Sequence, residues 1–171
     1  KPKSGDKKAD KAKAAAAGAA KKVALPTDFV FAGATSGQLY RWVTADKEAA
    51  RLTSPRYWLE HPTKTDDGYV AVHVDADARR LVGISNDGQT VAPLVEGVFH
   101  RPAYAPSRGL LAVVSSKGKS DAGKLCVLEP LEPATLACAR AAGRRVGRPS
   151  WAPDGRLLLA LGAARDGRYT R

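Results

Sequence analysis

Three histidines and two cysteines are the residues of this chain best suited to act as bases, nucleophiles or metal ligands. They are His61, His73, His100, Cys126 and Cys138. A hydrolytic triad needs a serine or cysteine nucleophile, a histidine and a carboxylate, and a Gly-x-Ser-x-Gly turn often marks the serine. The sequence has no such turn. We therefore expect no catalytic residue in the chain.

Metal binding is the second chemistry that these residue types suggest. No group of His, Cys and Asp has the spacing of a metal site. His61 and His100 each lie close to a proline and could line a channel as a pair for an anion or a metal, whereas His73 lies within a predicted strand and is expected to be structural. The pairs at 66–67 and 75–77 could suggest calcium, but acidic turns are usually solvated. We expect no metal and no other cofactor.

Cys126 and Cys138 lie on two predicted strands, 124–128 and 135–139, that a short Glu-Pro-Leu-Glu-Pro segment connects. Such a connection makes the strands antiparallel neighbours, and cysteines opposite each other can come within reach of a disulfide. Two free thiols in a β core are the alternative. A disulfide would favour an extracytoplasmic location, either periplasmic, membrane-anchored or secreted.

The net charge of +11 is concentrated at one end of the chain. Residues 1–22 hold eight Lys and two Asp, a net charge of +6, which leaves +5 for the rest. That remainder forms no basic stripe interleaved with aromatic residues, so we expect no nucleic-acid partner. Residues 1–24 form a Lys/Ala-rich leader without aromatic or branched apolar side chains before Val23, which predicts a disordered linker. It could also contact an anionic lipid or wall polymer weakly.

The part of the sequence that follows the leader contains a repeat. The segment HRPAYAPSRGLLAVV at 100–114 aligns with GRPSWAPDGRLLLAL at 147–161, and the offset of about 47 residues is typical of a four-stranded blade. Large aromatic residues are expected to wedge between neighbouring units, and Pro, Asp and Gly to form tight turns. The repeat signature comprises Pro102, Tyr104, Pro106, Pro149, Trp151, Pro153, Asp154 and Gly155.

Short β-prone runs between Gly, Asp, Asn and Pro turns predict four units at 28–54, 55–97, 98–142 and 143–171, which together make one domain over 25–171. The first unit holds three strands and lacks an innermost one; the last is cut short. The predicted strands are 29–32, 38–43 and 49–53; 56–60, 69–74, 80–85 and 90–94; 101–104, 110–115, 124–128 and 135–139; and 148–151 and 157–161.

The run RPSWAPDGRLL at 148–158 closely resembles the repeat of TolB-type β-propellers, which are related to WD-repeat blades. GQLYRW at 37–42 and ARLT at 50–53 resemble the third strand and the end of the fourth strand of that repeat. The second unit departs from the pattern, with WLEHP at 58–62 and a longer loop at 63–68, and the third has Ser-Arg-Gly in place of Asp-Gly. The resemblance implies an all-β propeller of four-stranded antiparallel blades, of which about three and a half are present.

A closed ring of that family has more blades than this chain supplies. We therefore expect either an excerpt of a longer protein, or a ring that a partner or second copy completes. The expected function is noncatalytic binding of a protein or peptide outside the cytoplasm, with tethering to a membrane or wall. The alternative is the propeller half of a prolyl-oligopeptidase-type serine peptidase whose catalytic domain lies outside this chain.

Overall fold

The computed structural model describes residues 27–76, 78–117, 121–130, 132–140, 144–155 and 158–164, so the predicted leader at 1–24 lies outside the described residues. The described residues form strands and turns and contain no helix. The prediction of an all-β chain built from antiparallel sheets is therefore confirmed. Turn-forming residues interrupt the β-prone runs often enough that each strand is at most eight residues long.

Each sheet consists of strands that follow one another along the chain and pair antiparallel with their sequence neighbours. The first sheet has the order β1-β2-β3, the second β4-β5-β6-β7, the third β8-β9-β10-β11, and a fourth pair joins β12 to β13. The strands are β1 (Asp28–Ala32), β2 (Leu39–Val43), β3 (Ala50–Arg51), β4 (Leu59–Lys64), β5 (Gly68–Asp75), β6 (Ala78–Ser85), β7 (Val91–Val95), β8 (Phe99–Ala105), β9 (Leu110–Ser115), β10 (Lys124–Glu129), β11 (Glu132–Ala139), β12 (Arg144–Trp151) and β13 (Leu158–Ala164).

Two predicted strands differ clearly from the structure. The strand predicted at 56–60 lies at Leu59–Lys64 instead, because the chain passes through Pro62 in a β-bulge, where the missing N–H breaks no ladder bond. The strand predicted at 49–53 is reduced to Ala50–Arg51. Its ladder ends because the N–H groups of Leu52 and Thr53 both donate to the Leu39 carbonyl, while Thr53 Oγ1 accepts from the Leu39 N–H at 3.0 Å.

Two apolar layers hold the first three sheets together. Leu39, Leu59 and Val82 belong to a cluster between the first and second sheets, and Leu81 and Leu111 to a cluster between the second and third. The second sheet is therefore covered on both faces, which explains the nearly continuous burial of β5. Each fully buried Leu contributes about 1.5–3 kcal/mol relative to an exposed one.

The first sheet leaves its other face uncovered in the described chain. Phe29 stacks on its cross-strand partner Trp42 with ring centroids 5.7 Å apart, and Phe31 stacks on Tyr40 at 5.8 Å. Phe29, Phe31 and Trp42 are 38%, 44% and 38% exposed. We call these four residues the aromatic face. Large exposed apolar patches of this kind usually mark a contact surface.

Candidate functional site

A cavity of about 390 Å³ opens between the second and third sheets, at the end where the β4–β5, β6–β7 and β8–β9 turns lie. We call it the intersheet groove. Its floor comes from β5, β6 and β7, and its opposite wall from the third sheet. The lining residues are Thr65, Asp66, Asp67, Gly68, Tyr69, Val70, Gly83, Ile84, Ser85, Thr90, Ala92, Leu94, Tyr104, Gly109 and Pro130.

The groove exists because a row of small residues crosses the second sheet. Val70 pairs with Gly83, and Gly83 pairs with Ala92, so a single row carries little side-chain volume. In the next row Val72 pairs with Leu81, and both are fully buried in the core that joins the second and third sheets. The two sheets therefore touch at the larger row and separate at the smaller one.

Tyr104 forms the wall of the groove on the third sheet. Its phenol Oη donates to Asp66 Oδ2 at 2.7 Å, and its backbone N–H donates to Thr63 Oγ1 at 3.3 Å. Burial, together with the hydrogen bond to Asp66, raises the pKa of Tyr104 to about 12. The phenol therefore stays protonated at neutral pH and ties the β4–β5 turn to the third sheet.

The rim of the groove is acidic and held by local hydrogen bonds. Asp66 and Asp67 occupy an exposed two-residue turn that the Thr65 N–H closes by donating to the Gly68 carbonyl at 2.9 Å. On the other side, the Ser85 hydroxyl donates to Asp87 Oδ1 at 2.5 Å and lowers the pKa of that carboxyl. Such fixed turns present their side chains without a large ordering cost on binding.

The lining of the groove combines an apolar floor with polar groups at its edge. An apolar floor with two carboxylates at its edge favours a ligand with an apolar group beside a cationic one. The lining contains neither histidine nor cysteine, and its hydroxyl groups have no imidazole neighbour among the lining residues. Across the residues that the structure describes, no cluster of three His, Cys, Asp or Glu side chains could hold a metal ion.

The aromatic residues of the repeat signature lie where neighbouring sheets meet. Tyr104 contacts the second sheet as described above, and Trp151 Nε1 donates to the Ala103 carbonyl of the third sheet at 2.9 Å. Both side chains are half-buried. Tyr104 is the signature residue that lines the groove.

The remaining signature residues belong to bulges and turns. Pro102 and Pro149 are buried, whereas Pro106, Pro153 and Asp154 are exposed. Gly155 adopts φ of 67°, and its N–H donates to the Ala152 carbonyl at 2.8 Å. A Cβ at Gly155 would collide with the Ser107 hydroxyl, so the two turns lie against each other.

Cys126 and Cys138 are directly opposite each other on β10 and β11, and a disulfide joins them. Cys126 is fully buried in the core, whereas Cys138 is exposed. The same hairpin carries Pro130, which lines the groove. The disulfide therefore restrains the hairpin that forms part of the groove wall.

The three histidines lie outside the groove. The His73 ring contacts the Tyr57 ring edge-on with centroids 5.7 Å apart, as expected of a packing residue. His61 and His100 lie on β4 and β8, the first strands of neighbouring sheets that contact each other. Of the acidic residues at 75–77, Asp75 ends β5 and its Oδ2 lies 3.8 Å from Arg80 Nη2, whereas Asp77 lies outside the described residues.

Sequence reasoning missed the groove. Asp66 and Asp67 lie in an exposed turn, as predicted, but the sequence gives no sign that they border a cavity with Gly83 and Ala92. Their small size is visible in the sequence, but it becomes a gap only when the strand register places them in one row. The spacing of Pro62, Pro102 and Pro149 was an available signal that would have aligned the second unit correctly.

Searches against known protein families and curated proteins found no match to this chain. Within the described residues, no helix is long and apolar enough to cross a membrane.

Proposed function

We propose that this chain is a segment of a TolB-type β-propeller that binds a protein or peptide in the intersheet groove, without catalysing a reaction. The observation that carries the proposal is the groove itself, a cavity of about 390 Å³ between two tightly packed sheets with an acidic rim. Rigid sheets that carry binding groups at their ends are a common arrangement in binding proteins.

The arrangement of the sheets supports the propeller. The first strands β4, β8 and β12 contact one another in sequence, and β1 contacts β4. Face-to-face packing of successive meander sheets around adjacent first strands is how propeller blades are arranged. The aromatic face on the first sheet would then be the surface against which a preceding blade packs, and the β1 edge the place for the missing innermost strand.

The groove chemistry defines the ligand. Val70 and Leu94 provide an apolar floor, and the volume lies at the small end of the range for ligand sites, so it suits one or two side chains of a peptide. The exposed carboxylates of Asp66 and Asp67 complement a Lys or Arg side chain. The proposed ligand is an extended peptide with an apolar residue next to a basic one.

We also propose that the protein works outside the cytoplasm, tethered to a membrane or wall. The Cys126–Cys138 disulfide supports an oxidising compartment. The basic leader would lie close to an anionic surface if the chain were tethered upstream of it. The alternative role as the propeller half of a prolyl-oligopeptidase-type peptidase stays a prediction, and no contact of the described residues favours it over peptide binding.

Peptide arrays with a matched pair of variants test the groove. The labelled 171-residue chain is applied to nine-residue peptides in which one apolar and one basic position are varied independently. Ala92→Leu fills the floor of the groove at an exposed position. We expect it to weaken binding of the selected peptides at least about tenfold, because the larger side chain occupies the binding space. Ala50→Leu makes the same change on the exposed strand β3, outside the groove, and should leave binding unchanged.

The charge of the rim is tested separately. Asp67→Asn should weaken the binding of peptides with a basic residue and leave the binding of their neutral analogues unaffected. Asp46→Asn, an exposed control on the first sheet, should change the binding of neither peptide class. Equal binding by the wild-type protein and the Ala92→Leu variant would exclude the groove as the peptide site. Equal binding of basic and neutral peptides would exclude the acidic rim as the specificity element.

A further inference from the structure

Three prolines mark equivalent irregularities on the first strands of the second, third and fourth sheets. The register of β4 shifts between Glu60 and Thr63, that of β8 between His100 and Ala103, and that of β12 between Val146 and Pro149. These strands contact one another in turn. The residues immediately before the three prolines therefore follow one another from sheet to sheet. We call these three residues, His61, Arg101 and Arg148, the bulge arc.

Two positions of the bulge arc adopt an uncommon backbone conformation. His61 has φ of 52° and Arg101 has φ of 53°, both in the left-handed region that residues other than glycine rarely enter. The following proline does not require this, because residues before proline favour extended conformations. Bulges at functional sites turn a side chain toward a ligand, and strained backbone conformations cluster at such sites. The same strain at two equivalent positions therefore makes the bulge arc a candidate binding site.

The charges around the bulge arc do not cancel. Arg79 is neutralised by Glu60, since Arg79 Nη1 lies 2.7 Å from Glu60 Oε2. Arg101 and Arg148 are exposed, and neither forms an ion pair or a hydrogen bond within the described part of the chain. Two unpaired guanidinium groups therefore remain on neighbouring strands.

Two imidazoles complete the surroundings. His100 Nε2 lies 3.0 Å from Ser116 Oγ. Partial burial lowers the pKa of both His61 and His100, and the positive charges of Arg79 and Arg101 lower them further, against the opposing effect of Glu60. At neutral pH the imidazoles are therefore uncharged and can each donate one hydrogen bond.

We propose that the bulge arc binds the carboxylate of an acidic peptide segment through the guanidinium groups of Arg101 and Arg148. The planar guanidinium fork matches a planar carboxylate and forms charge-assisted hydrogen bonds with it. Because Glu60 is already paired with Arg79, the guanidinium groups of Arg101 and Arg148 are the uncompensated charges that an approaching carboxylate meets. This site is separate from the intersheet groove, and its assignment does not depend on the groove.

Calorimetric titration of the 171-residue chain with acetylated, amidated hexaglutamate tests the assignment. The variant R101Q/R148Q removes both guanidinium groups, and the control R51Q/R56Q makes the same charge change at two exposed arginines of the first sheet and the turn that follows it. Both variants keep the lysine-rich leader, so its contribution is the same in each. Because the four positions are exposed, urea midpoints should show that both variants fold.

We expect R101Q/R148Q to bind hexaglutamate at least about tenfold more weakly than the wild-type protein, as the loss of charge-assisted hydrogen bonds predicts, and R51Q/R56Q to differ by less than about twofold. Bound carboxylate should also raise the pKa of His61 and His100 in NMR titrations. Equal weakening in both variants would show a dependence on net charge alone and overturn the proposal. Undetectable binding to the wild-type protein, or tighter binding of inorganic phosphate than of hexaglutamate, would also overturn it.

Discussion

At the scale of single residues, the contacts between sheets depend on a few polar atoms at the ends of aromatic side chains. Tyr104 reaches Asp66 of the second sheet, and Trp151 reaches the Ala103 carbonyl of the third. In both cases the ring supplies apolar area and the polar atom fixes its orientation. The wedge expected from the repeat is therefore also a hydrogen-bonding bridge.

Tyr104→Phe isolates this bridge. Removing the phenol oxygen should lower the free energy of unfolding by about 1 kcal/mol, the typical net value of a hydrogen bond at a partly exposed site. Urea denaturation of the wild-type protein, Tyr104→Phe, Asp66→Asn and the double variant measures the coupling between the two side chains. Strictly additive effects would mean that the 2.7 Å contact does not stabilise the fold.

The histidines of β4 and β8 predict a dependence of stability on pH. The pKa values of His61 and His100 are lowered in the folded chain by partial burial and by the neighbouring arginines, Arg148 also acting on His61, with Glu60 opposing. Between the folded and unfolded pKa values the unfolded chain binds more protons, so stability rises with pH. The stability that comes from the two histidines should be fully present above their unfolded-state pKa of about 6.5, and it should be lost as the pH falls through their folded-state pKa values.

Urea midpoints between pH 8 and pH 5 measure this effect. The wild-type protein should lose stability over that interval, and the variant His61→Asn/His100→Asn should lose less, because asparagine does not titrate. The carboxyls whose pKa is lowered, Asp28 and Asp87 among them, take up protons at lower pH. Their effect on stability is the same in the wild-type protein and in the variant. An identical pH slope in both proteins would contradict the assigned role of these histidines.

At the scale of elements, tight turns place one sheet against the next. Gly88 lies in the β6–β7 turn with φ of 73°, and a Cβ at this position would collide with the Leu52 carbonyl of the first sheet. Gly109 ends the β8–β9 turn with φ of 64° and has nothing within 4 Å of the same point. The two glycines share a conformation and differ in their surroundings.

Alanine at these two positions separates backbone strain from intersheet packing. Gly109→Ala should cost about 1–2 kcal/mol, the cost of a left-handed conformation for a residue with a Cβ. Gly88→Ala should cost about 2 kcal/mol more, because the Leu52 backbone cannot move aside without separating the sheets. The free energy of unfolding of both variants gives the difference. Equal losses would mean that the β6–β7 turn does not lie against the first sheet in solution.

The disulfide acts on the β10–β11 hairpin. Cys138→Ala breaks the bond at its exposed end and leaves Cys126 in the core, so the change in packing is small. Closing a loop across 12 residues should stabilise the chain by about 2–3 kcal/mol. A reducing agent should lower the urea midpoint of the wild-type protein and leave the midpoint of Cys138→Ala unchanged. A wild-type midpoint insensitive to reduction would show that the bond contributes nothing to stability.

At the scale of the whole molecule, the first sheet leaves a surface that the described chain does not cover. The aromatic face exposes Phe29, Phe31 and Trp42, and its opposite face is packed against the second sheet. Apolar surfaces of this kind associate in water. The isolated chain should therefore self-associate with rising concentration, whether or not a neighbouring sheet covers this face in a longer protein.

Sedimentation velocity over a concentration series tests this expectation. Phe31→Thr removes the most exposed ring of the aromatic face and puts a β-branched residue of high strand propensity in its place, so association should weaken. Trp58→Thr removes a ring that is 43% exposed elsewhere and should leave association unchanged. A wild-type chain that stays monomeric throughout would contradict the prediction.

The sequence predicted the order and number of strands well because turn residues and continuous apolar runs are local signals. LLAVVS at Leu110–Ser115 illustrates this, since a strand covered on both faces has to be apolar throughout. The first strand of the second unit was predicted too early because Lys64 occupies the position of Tyr104 and Trp151 two residues after the proline, so this unit lacks the aromatic that marks the strand. The groove and the bulge arc depend on register and on packing between sheets, which no local pattern encodes.

The central claim, that the intersheet groove binds the peptide, is tested most directly by NMR titration of the 171-residue chain with the best peptide from the array. Backbone amides of Gly68, Gly83 and Ala92 report on the floor of the groove. The account predicts that these amides shift together as peptide is added, and that Ala92→Leu abolishes the shifts. Shifts confined to the aromatic face or the bulge arc, with these three amides unchanged, would contradict it.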